Sequence, residues 1–319
     1  MGETSLTRII KPKNITKVVV LHGGISEEKE VSNLTAESCI EALKRIDFHV
    51  EALSVDSTNM HDLAEIIKVK NPDVIFNGLH GGIGENGTVQ GLLEMLRIPY
   101  THSGVVSSAI AMDKFISKKI FKTSGLPVIE DQLLNAEDEL NGISIKPPFV
   151  IKPNNGGSSL GIQFIRYKEQ IGEMKRLYGR KDSKYLLEKY IPGRELTVAV
   201  LNGRPLTVTD IVTDEWYNYD AKYRNGGSKH IIPANIPKDI FELCISYAVK
   251  AHQTLGCRGI TRSDFRWNEE EGKEGLYILE LNTQPGMTKT SLVPEQAKYI
   301  GLDLPHLCLD LIKDASSNK

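Results

Sequence analysis

Arg262 and Asp264 stand two residues apart in "TRSDFRW", as do Glu280 and Asn282 in "LYILELNTQPG". Residues two apart on a strand share a face. If the two strands are neighbours, Asp264, Glu280 and Asn282 converge as three oxygen ligands. Carboxylates with an amide oxygen suit a hard, octahedral cation held jointly with substrate phosphates, which points to magnesium. Ile278, Leu279 and Leu281 bury the surrounding backbone, where an uncompensated carboxylate would be costly. The competing reading is an ion-pair network of Arg262 with Asp264 and Glu280, and the metal reading is preferred to it.

A second stretch, "IKPNNGGSSLG" (151–161), places glycines and serines directly after an apolar run. Glycine loses more backbone freedom on folding than any other residue, so its use here calls for a reason. Backbone N–H groups and serine hydroxyls at a hairpin tip can fold over a phosphate chain. Lys152, at the end of the preceding strand, adds positive charge. An ordinary surface hairpin explains the segment equally well when it is taken alone. "YLLEKYI" then sets Glu188 and Lys189 at a strand end, and Glu195 opens the next strand. Such an edge could offer backbone groups to adenine and a carboxylate to ribose hydroxyls, although a plain charged strand end is the simpler reading in isolation.

Two other patterns are rejected. Gly82-x-Gly84-x-x-Gly87 spells a dinucleotide fingerprint, but it falls in the third strand unit and lacks the acidic residue that would hold ribose. Gly157-x-Ser159-x-Gly161 spells a nucleophile elbow, yet "IQFIRY" after it alternates like a strand where that elbow needs a helix.

The elements that must position these groups follow from periodicity. The first hundred residues alternate strand and helix: strands at 16–24, 48–55 and 73–77, and helices after Ser26, near 61–70 and at 88–96. That pattern predicts a parallel α/β sheet. Ser26 is expected to cap the first helix, with Glu27 and Glu28 in its first turn. "MDKFISKKIFKTSGLP" reads as one helix closed at Gly125 and Pro127. Beyond it come short strands in "PPFVIKP", "GIQFIRY" and "KYLLEKYI", with a helix across 168–180. Asn202-Gly203 joins two alternating runs as a hairpin. A polar loop at 214–237 precedes a helix near 238–255. The expected division is an N-terminal α/β domain (1–102), a central lobe (103–189) and a C-terminal lobe (190–319) carrying the metal site.

With 319 residues, 40% hydrophobic and 25% charged, the composition is that of a globular protein. A net charge of -2 gives no electrostatic reason to expect nucleic acid or an anionic membrane. Four scattered cysteines without a C-x-x-C spacing favour neither zinc nor disulfides. No apolar run reaches the ~20 residues of a membrane span, and the opening residues do not read as a secretory signal. A cytoplasmic location is the expectation.

In order and spacing, "HGGISEEKEVS", "GLHGGIGENGTVQGLLEMLRIPYTHSG", "AMDK", "KPNNGGSSLGI", "LEKYIPGRELTVAVL", "YDAKY", "TRSDF" and "ELNTQPGMTKTSLVP" resemble the D-alanine–D-alanine ligases of the ATP-grasp family. The resemblance runs from about residue 17 to 310 and implies a three-lobed ATP-grasp fold with an N-terminal parallel α/β domain. It implies an enzyme that uses ATP to activate one D-alanine as an acyl phosphate. A second D-alanine attacks, and phosphate leaves a tetrahedral intermediate, giving the dipeptide for peptidoglycan.

By that resemblance Lys114, Lys152 and Lys222 contact ATP together with Gly157, Ser158 and Ser159 of the covering loop. Glu188 and Lys189 lie beside adenine, and Glu195 takes the ribose. Asp264, Glu280 and Asn282 match ligands of two magnesium ions, which manganese could replace. Glu28 receives the ammonium of the first D-alanine, with His80 nearby, and Ser291 and Leu292 hold the carboxylate of the second. Arg262 and the Gly286 N–H donate to the oxyanion. Tyr223, in the lid at 214–237, meets Ser158, which meets Glu28. The resemblance further implies a homodimer acting on small molecules. Two departures stand out: Asn86 replaces an aspartate common in the family, and the first fifteen residues find no counterpart. A ligase joining D-alanine to D-lactate, or another ATP-grasp ligase, is the alternative, and a non-catalytic nucleotide-binding module is a more distant one.

Overall fold

A computed structural model describes residues 10–135, 142–157, 161–170, 184–213 and 228–317. The chain divides into two compact units. One comprises the chain through Gly84, Thr88–His102 and everything from Gly286 onward; the other comprises Glu85–Gly87 and Ser103–Pro285.

The first unit is built on a parallel sheet in the order β2-β1-β3, from β1 (Lys17–Gly23), β2 (His49–Val55) and β3 (Val74–Asn77). Val18 to Leu21 are wholly buried, as a continuous β-branched and apolar run covered on both faces requires. Helix α1 (Lys29–Arg45) turns Val31, Cys39 and Leu43 toward the sheet. Helix α2 (Met60–Lys70) starts on the Asn59 side chain, which accepts from the His61 and Asp62 N–H groups, and ends on Asn71 in the left-handed region. Helix α3 (Thr88–Leu96) completes this part. Ser26 does not cap α1: the helix begins after Glu28, whose side chain makes no capping bond. The Ser26 hydroxyl instead donates to the His80 carbonyl at 2.8 Å and accepts the Glu28 N–H at 3.3 Å.

The second unit opens with α4 (Val105–Met112) and α5 (Lys114–Thr123). A single helix read from Met112 onward is therefore incorrect in its start. Asp113 takes an extended conformation and accepts the Ile116 N–H at 3.0 Å, so it separates the two helices and caps the second. An antiparallel sheet runs β4-β7-β5-β6, from β4 (Asp131–Asn135), β5 (Phe149–Pro153), β6 (Gln163–Ile165) and β7 (Lys184–Lys189). Strand β4 is not legible in the sequence, because "DQLLN" shows no alternation. The helix expected across 168–180 lies largely outside the described residues.

The other sheet of this unit, β10-β9-β8-β11-β12, is also antiparallel. Its strands are β8 (Arg194–Leu201), β9 (Arg204–Val212), β10 (Lys229–Ile231), β11 (Ile260–Trp267) and β12 (Leu276–Asn282). Asn202 and Gly203 both have positive φ, 50° and 75°, as a two-residue hairpin requires. Helix α6 (Lys238–Thr254) packs Ile240, Cys244, Ala248 and Ala251 into the core with Phe265 and Ile278.

Helices α7 (Leu292–Tyr299) and α8 (Leu304–Asp314) follow Gly286 and belong to the first unit. There α8 packs on α1, burying Leu307, Cys308 and Leu311.

Candidate active site

Strands β11 and β12 are hydrogen-bonded neighbours, and their register sets Arg262 opposite Asn282 and Asp264 opposite Glu280. Opposed residues share a face, so all four side chains emerge together. The register shifts directly after Asp264, an irregularity of the kind often found beside functional sites. The Arg262 guanidinium forks onto Asp264, Nε to Oδ1 at 2.8 Å and Nη2 to Oδ2 at 2.7 Å. Thr197 of β8 donates its hydroxyl to Oδ1 at 2.7 Å. The Asn282 amide oxygen accepts the Gln284 N–H at 2.7 Å, which turns the chain out of β12 toward Pro285-Gly286.

Among the described residues no group of three His, Cys, Asp or Glu side chains gathers as a self-sufficient metal cage. The donor set is two carboxylates and an amide, and each of its oxygens has two lone pairs. It fits a magnesium ion whose remaining positions are filled by phosphate oxygens and water. The Arg262–Asp264 ion pair anticipated as the rival reading is present, and lone pairs remain on that carboxylate for a cation.

The same unit carries an open cleft of about 860 Å³, its solvent-facing part included. Ile129, Val150 and Leu279 supply apolar wall, while Lys114, Lys152, Glu188, Lys189, Glu195, Asp264 and Glu280 supply charge. Gly156 and Gly157 reach its edge. The hairpin expected around the glycine stretch is present, β5 pairing antiparallel with β6 from Phe149–Ile165 to Ile151–Gln163. A cleft that combines apolar wall with charged groups suits a nucleotide.

Two lysines hold Glu188. Lys152 Nζ lies 2.6 Å from Oε2, and Lys118 Nζ is hydrogen-bonded to Oε1. Lys118 is also 3.4 Å from Asp131 Oδ2. Burial alone would raise the Glu188 carboxyl, but the two ammonium charges outweigh it and hold it at about 2. For Lys152 burial acts downward, and the charges of Glu188 and Glu280 overcome it to raise the amine. Lys118 is a residue that reading the sequence missed. It is 1% exposed, yet "FISKKIFK" reads as a solvated lysine face. The available signal was its four-residue spacing from Lys114, which puts both amines on one side of α5.

Lys114 Nζ donates to the Gly156 carbonyl at 2.5 Å and lies 3.4 Å from Glu280 Oε2. Glu195 Oε2 is 3.6 Å from Arg266 Nη1. The N–H groups of Lys189 and Tyr190 are taken by the carbonyls of Glu130 and Pro148, at 3.0 and 3.1 Å. Those two donors are committed within the fold and do not serve an incoming base.

The first unit brings together Glu28, His80, Gly286, Ser291 and Leu292 of the sequence reading. His80 Nε2 and Thr35 Oγ1 are 2.8 Å apart, and that hydroxyl oxygen accepts the Met287 N–H at 3.3 Å. The turn at 286–291 is thereby tied to the loop carrying His80. Glu28 is buried, and a Cβ on Gly81 would overlap its Oε2. At Gly286 a Cβ would come within 2.9 Å of Ser291 Oγ. Ser291 precedes α7, and its hydroxyl accepts the Thr288 N–H at 3.1 Å. Ser158, Ser159, Lys222 and Tyr223 lie outside the described residues.

Residues 120–313 match the family model described as D-ala D-ala ligase C-terminus, and residues 54–103 match that described as D-ala D-ala ligase N-terminus. A D-alanine–D-alanine ligase of Cereibacter sphaeroides is 50% identical over 307 residues, covering 96% of this chain and 98% of the relative. One from a Ruegeria species is 50% identical over 305 residues, with the same coverage of each. Among solved structures, the D-alanine–D-alanine ligase of Bacillus anthracis complexed with ATP aligns with a TM-score of 0.80 at 30% identity. It covers 94% of this chain and 97% of that one.

Proposed function

The chain belongs to the D-alanine–D-alanine ligase family, and from that premise we propose how its residues divide the work of joining two D-alanines with ATP. The chain is an ATP-dependent ligase of the ATP-grasp fold, and its product is the D-alanyl-D-alanine of peptidoglycan. The observation that supports the assignment of roles best is the β11–β12 register, which sets Asp264 against Glu280 and Arg262 against Asn282 beside a cleft lined by Lys114 and Lys152.

ATP takes the cleft of the second unit, its base against the apolar wall and its ribose at Glu195. Lys114 and Lys152 meet the phosphates, and Gly157, Ser158 and Ser159 cover them. Asp264, Glu280 and Asn282 would hold magnesium, two ions by family resemblance, and bound metal neutralises charge on the transferring phosphoryl group. Glu28 receives the ammonium of the first D-alanine, and His80 orients near it. The carboxylate of that D-alanine takes the γ-phosphoryl group and becomes an acyl phosphate. Ser291 and Leu292 hold the second D-alanine by its carboxylate. Its amine attacks the acyl carbon, and Arg262 and the Gly286 N–H donate to the oxygen on which charge develops. Phosphate then leaves. Lys222 and Tyr223 act from the lid, which excludes water from the acyl phosphate.

The lobe boundaries near 102 and 189, a homodimer, and a cytoplasmic enzyme without nucleic-acid or membrane partners complete the proposal. Among the described residues no helix is long and apolar enough to cross a membrane.

The test is phosphate release with ATP and magnesium when D-alanine, L-alanine, or D-alanine with D-lactate is supplied, with products identified by mass spectrometry. One phosphate per D-alanyl-D-alanine is the expected result. Release only with another pair of acids would overturn the substrate assignment.

A further inference from the structure

We propose that Asn154 is a positioning residue for Lys114, fixing the amine against the base of the glycine loop. The proposal rests on the reading of the second unit's cleft as the ATP site.

Asn154 is fully buried, and every hydrogen-bonding group it has is engaged. Its N–H donates to the Lys184 carbonyl at 2.9 Å, which anchors it to β7. Its carbonyl accepts the Lys114 N–H at 3.2 Å. Its side-chain oxygen accepts the Phe115 N–H at 2.9 Å, and its side-chain nitrogen donates to Asn155 Oδ1 at 2.7 Å. The first amides of a helix have no partner within it. At the start of α5, two of those donors are satisfied by this one asparagine and a third, that of Ile116, by Asp113. The helix end is consequently not a free anion-binding site, since its leading N–H groups are occupied.

What Asn154 leaves available is the Lys114 side chain. A lysine in the first turn of a helix opposes the macrodipole and gains nothing there for helix stability. Here the amine instead crosses to the Gly156 carbonyl at 2.5 Å and to Glu280 Oε2 at 3.4 Å. Asn154 lies between these points: it belongs to the loop base and binds the backbone of the lysine itself. One residue thus fixes the distance between the start of α5 and the segment that begins at Gly156. A surface helix without this clip would let the amine swing on four rotatable bonds.

The test is a double-mutant cycle on the full-length enzyme, with Asn154→Ala, Lys114→Met and the pair, reading kcat/KM for ATP at saturating D-alanine. Asn154→Ala keeps the main-chain bond to the Lys114 N–H but removes the side-chain cap on the Phe115 N–H. That loss is expected to lower kcat/KM for ATP about tenfold in the parent, the scale of one lost capping bond, and by less than about twofold when Lys114 is already methionine. KM for D-alanine should stay within about twofold. Equal losses from Asn154→Ala in both backgrounds would overturn the proposal while leaving the site reading intact. A Lys114→Met enzyme as active as the parent would overturn the site reading and the proposal with it. If the alanine variant does not fold, Asn154→Asp keeps the acceptor for the Phe115 N–H. It is then expected to retain kcat/KM within about threefold, and a loss of tenfold or more counts against the proposal.

Discussion

Lys152 and Glu188 lie on adjacent antiparallel strands, offset by two residues in a register that pairs Val150 with Glu188, and their charged atoms are 2.6 Å apart. The pair faces the cleft and is almost wholly buried. A charge held there without its partner would cost several kcal/mol. The strand offset therefore decides which amine lines the cleft and which carboxylate stays ionised.

Acid should destabilise the protein through Glu188. Its folded value of about 2 lies below the ordinary glutamate value of 4.5, so its contribution is present above pH 4.5 and is lost as the pH falls toward 2. Roughly 3 kcal/mol is at stake, an order-of-magnitude figure for a shift of this size. Lys152 acts at the other end of the scale. Its raised value means stability that is complete below about 10.5 and lost as the pH rises through the folded value. Urea unfolding at pH 7, 4 and 3 should show Glu188→Gln converging on the parent as the pH drops; parallel curves would remove Glu188 from this role.

Arg262→Ala should lower kcat by ~10²–10³, the scale for losing an oxyanion donor. The change also strips Asp264 of its forked partner, so Arg262→Lys separates the two effects. Lysine keeps the charge and an N–H donor but cannot make the fork. A kcat recovered in Arg262→Lys supports the donor role, and a kcat near that of the parent in Arg262→Ala would exclude it.

Chelation with EDTA should abolish phosphate release, and magnesium should restore it. Asp264→Asn should raise the magnesium needed for half-maximal activity by about tenfold or more. If half-saturation is unchanged, Asp264 is not a metal ligand and the Arg262–Asp264 pair is purely structural.

Gly81→Ala tests the pocket around Glu28 without touching the carboxylate. The new Cβ would meet Glu28 Oε2 and sit at a φ of 67°, a conformation that costs an L-residue roughly 1–2 kcal/mol. KM for the first D-alanine should rise by about tenfold while KM for ATP changes by less than about twofold. A shift confined to ATP would mean that Glu28 belongs to a different site.

Much of this was legible in the residues. Two-residue spacings in "TRSDF" and "ELN" fixed which side chains share a face, since strand geometry leaves no choice. That the two strands are neighbours could not be read there, because register is set by tertiary contact across an acidic turn. Lys118 escaped for a related reason: its burial depends on Glu188, seventy positions along the chain. Ser26 misled because a serine before acidic residues has the form of a cap, whereas its hydroxyl is drawn to the His80 carbonyl. Asn154 was visible only as one polar residue in a glycine-rich stretch.

The packing of α8 on α1 has a bearing on how the molecule is born. On the ribosome, the sheet strands and α1 emerge before the second unit, whereas Leu307, Cys308 and Leu311, which finish the first unit's interior, are translated after it. The amino-terminal unit must wait, with α1 uncovered, until the intervening unit has been made. Its completion thus waits on a segment made after the second unit, and a chain stopped short of Leu304 would leave a greasy face on α1, far along the polypeptide from the break.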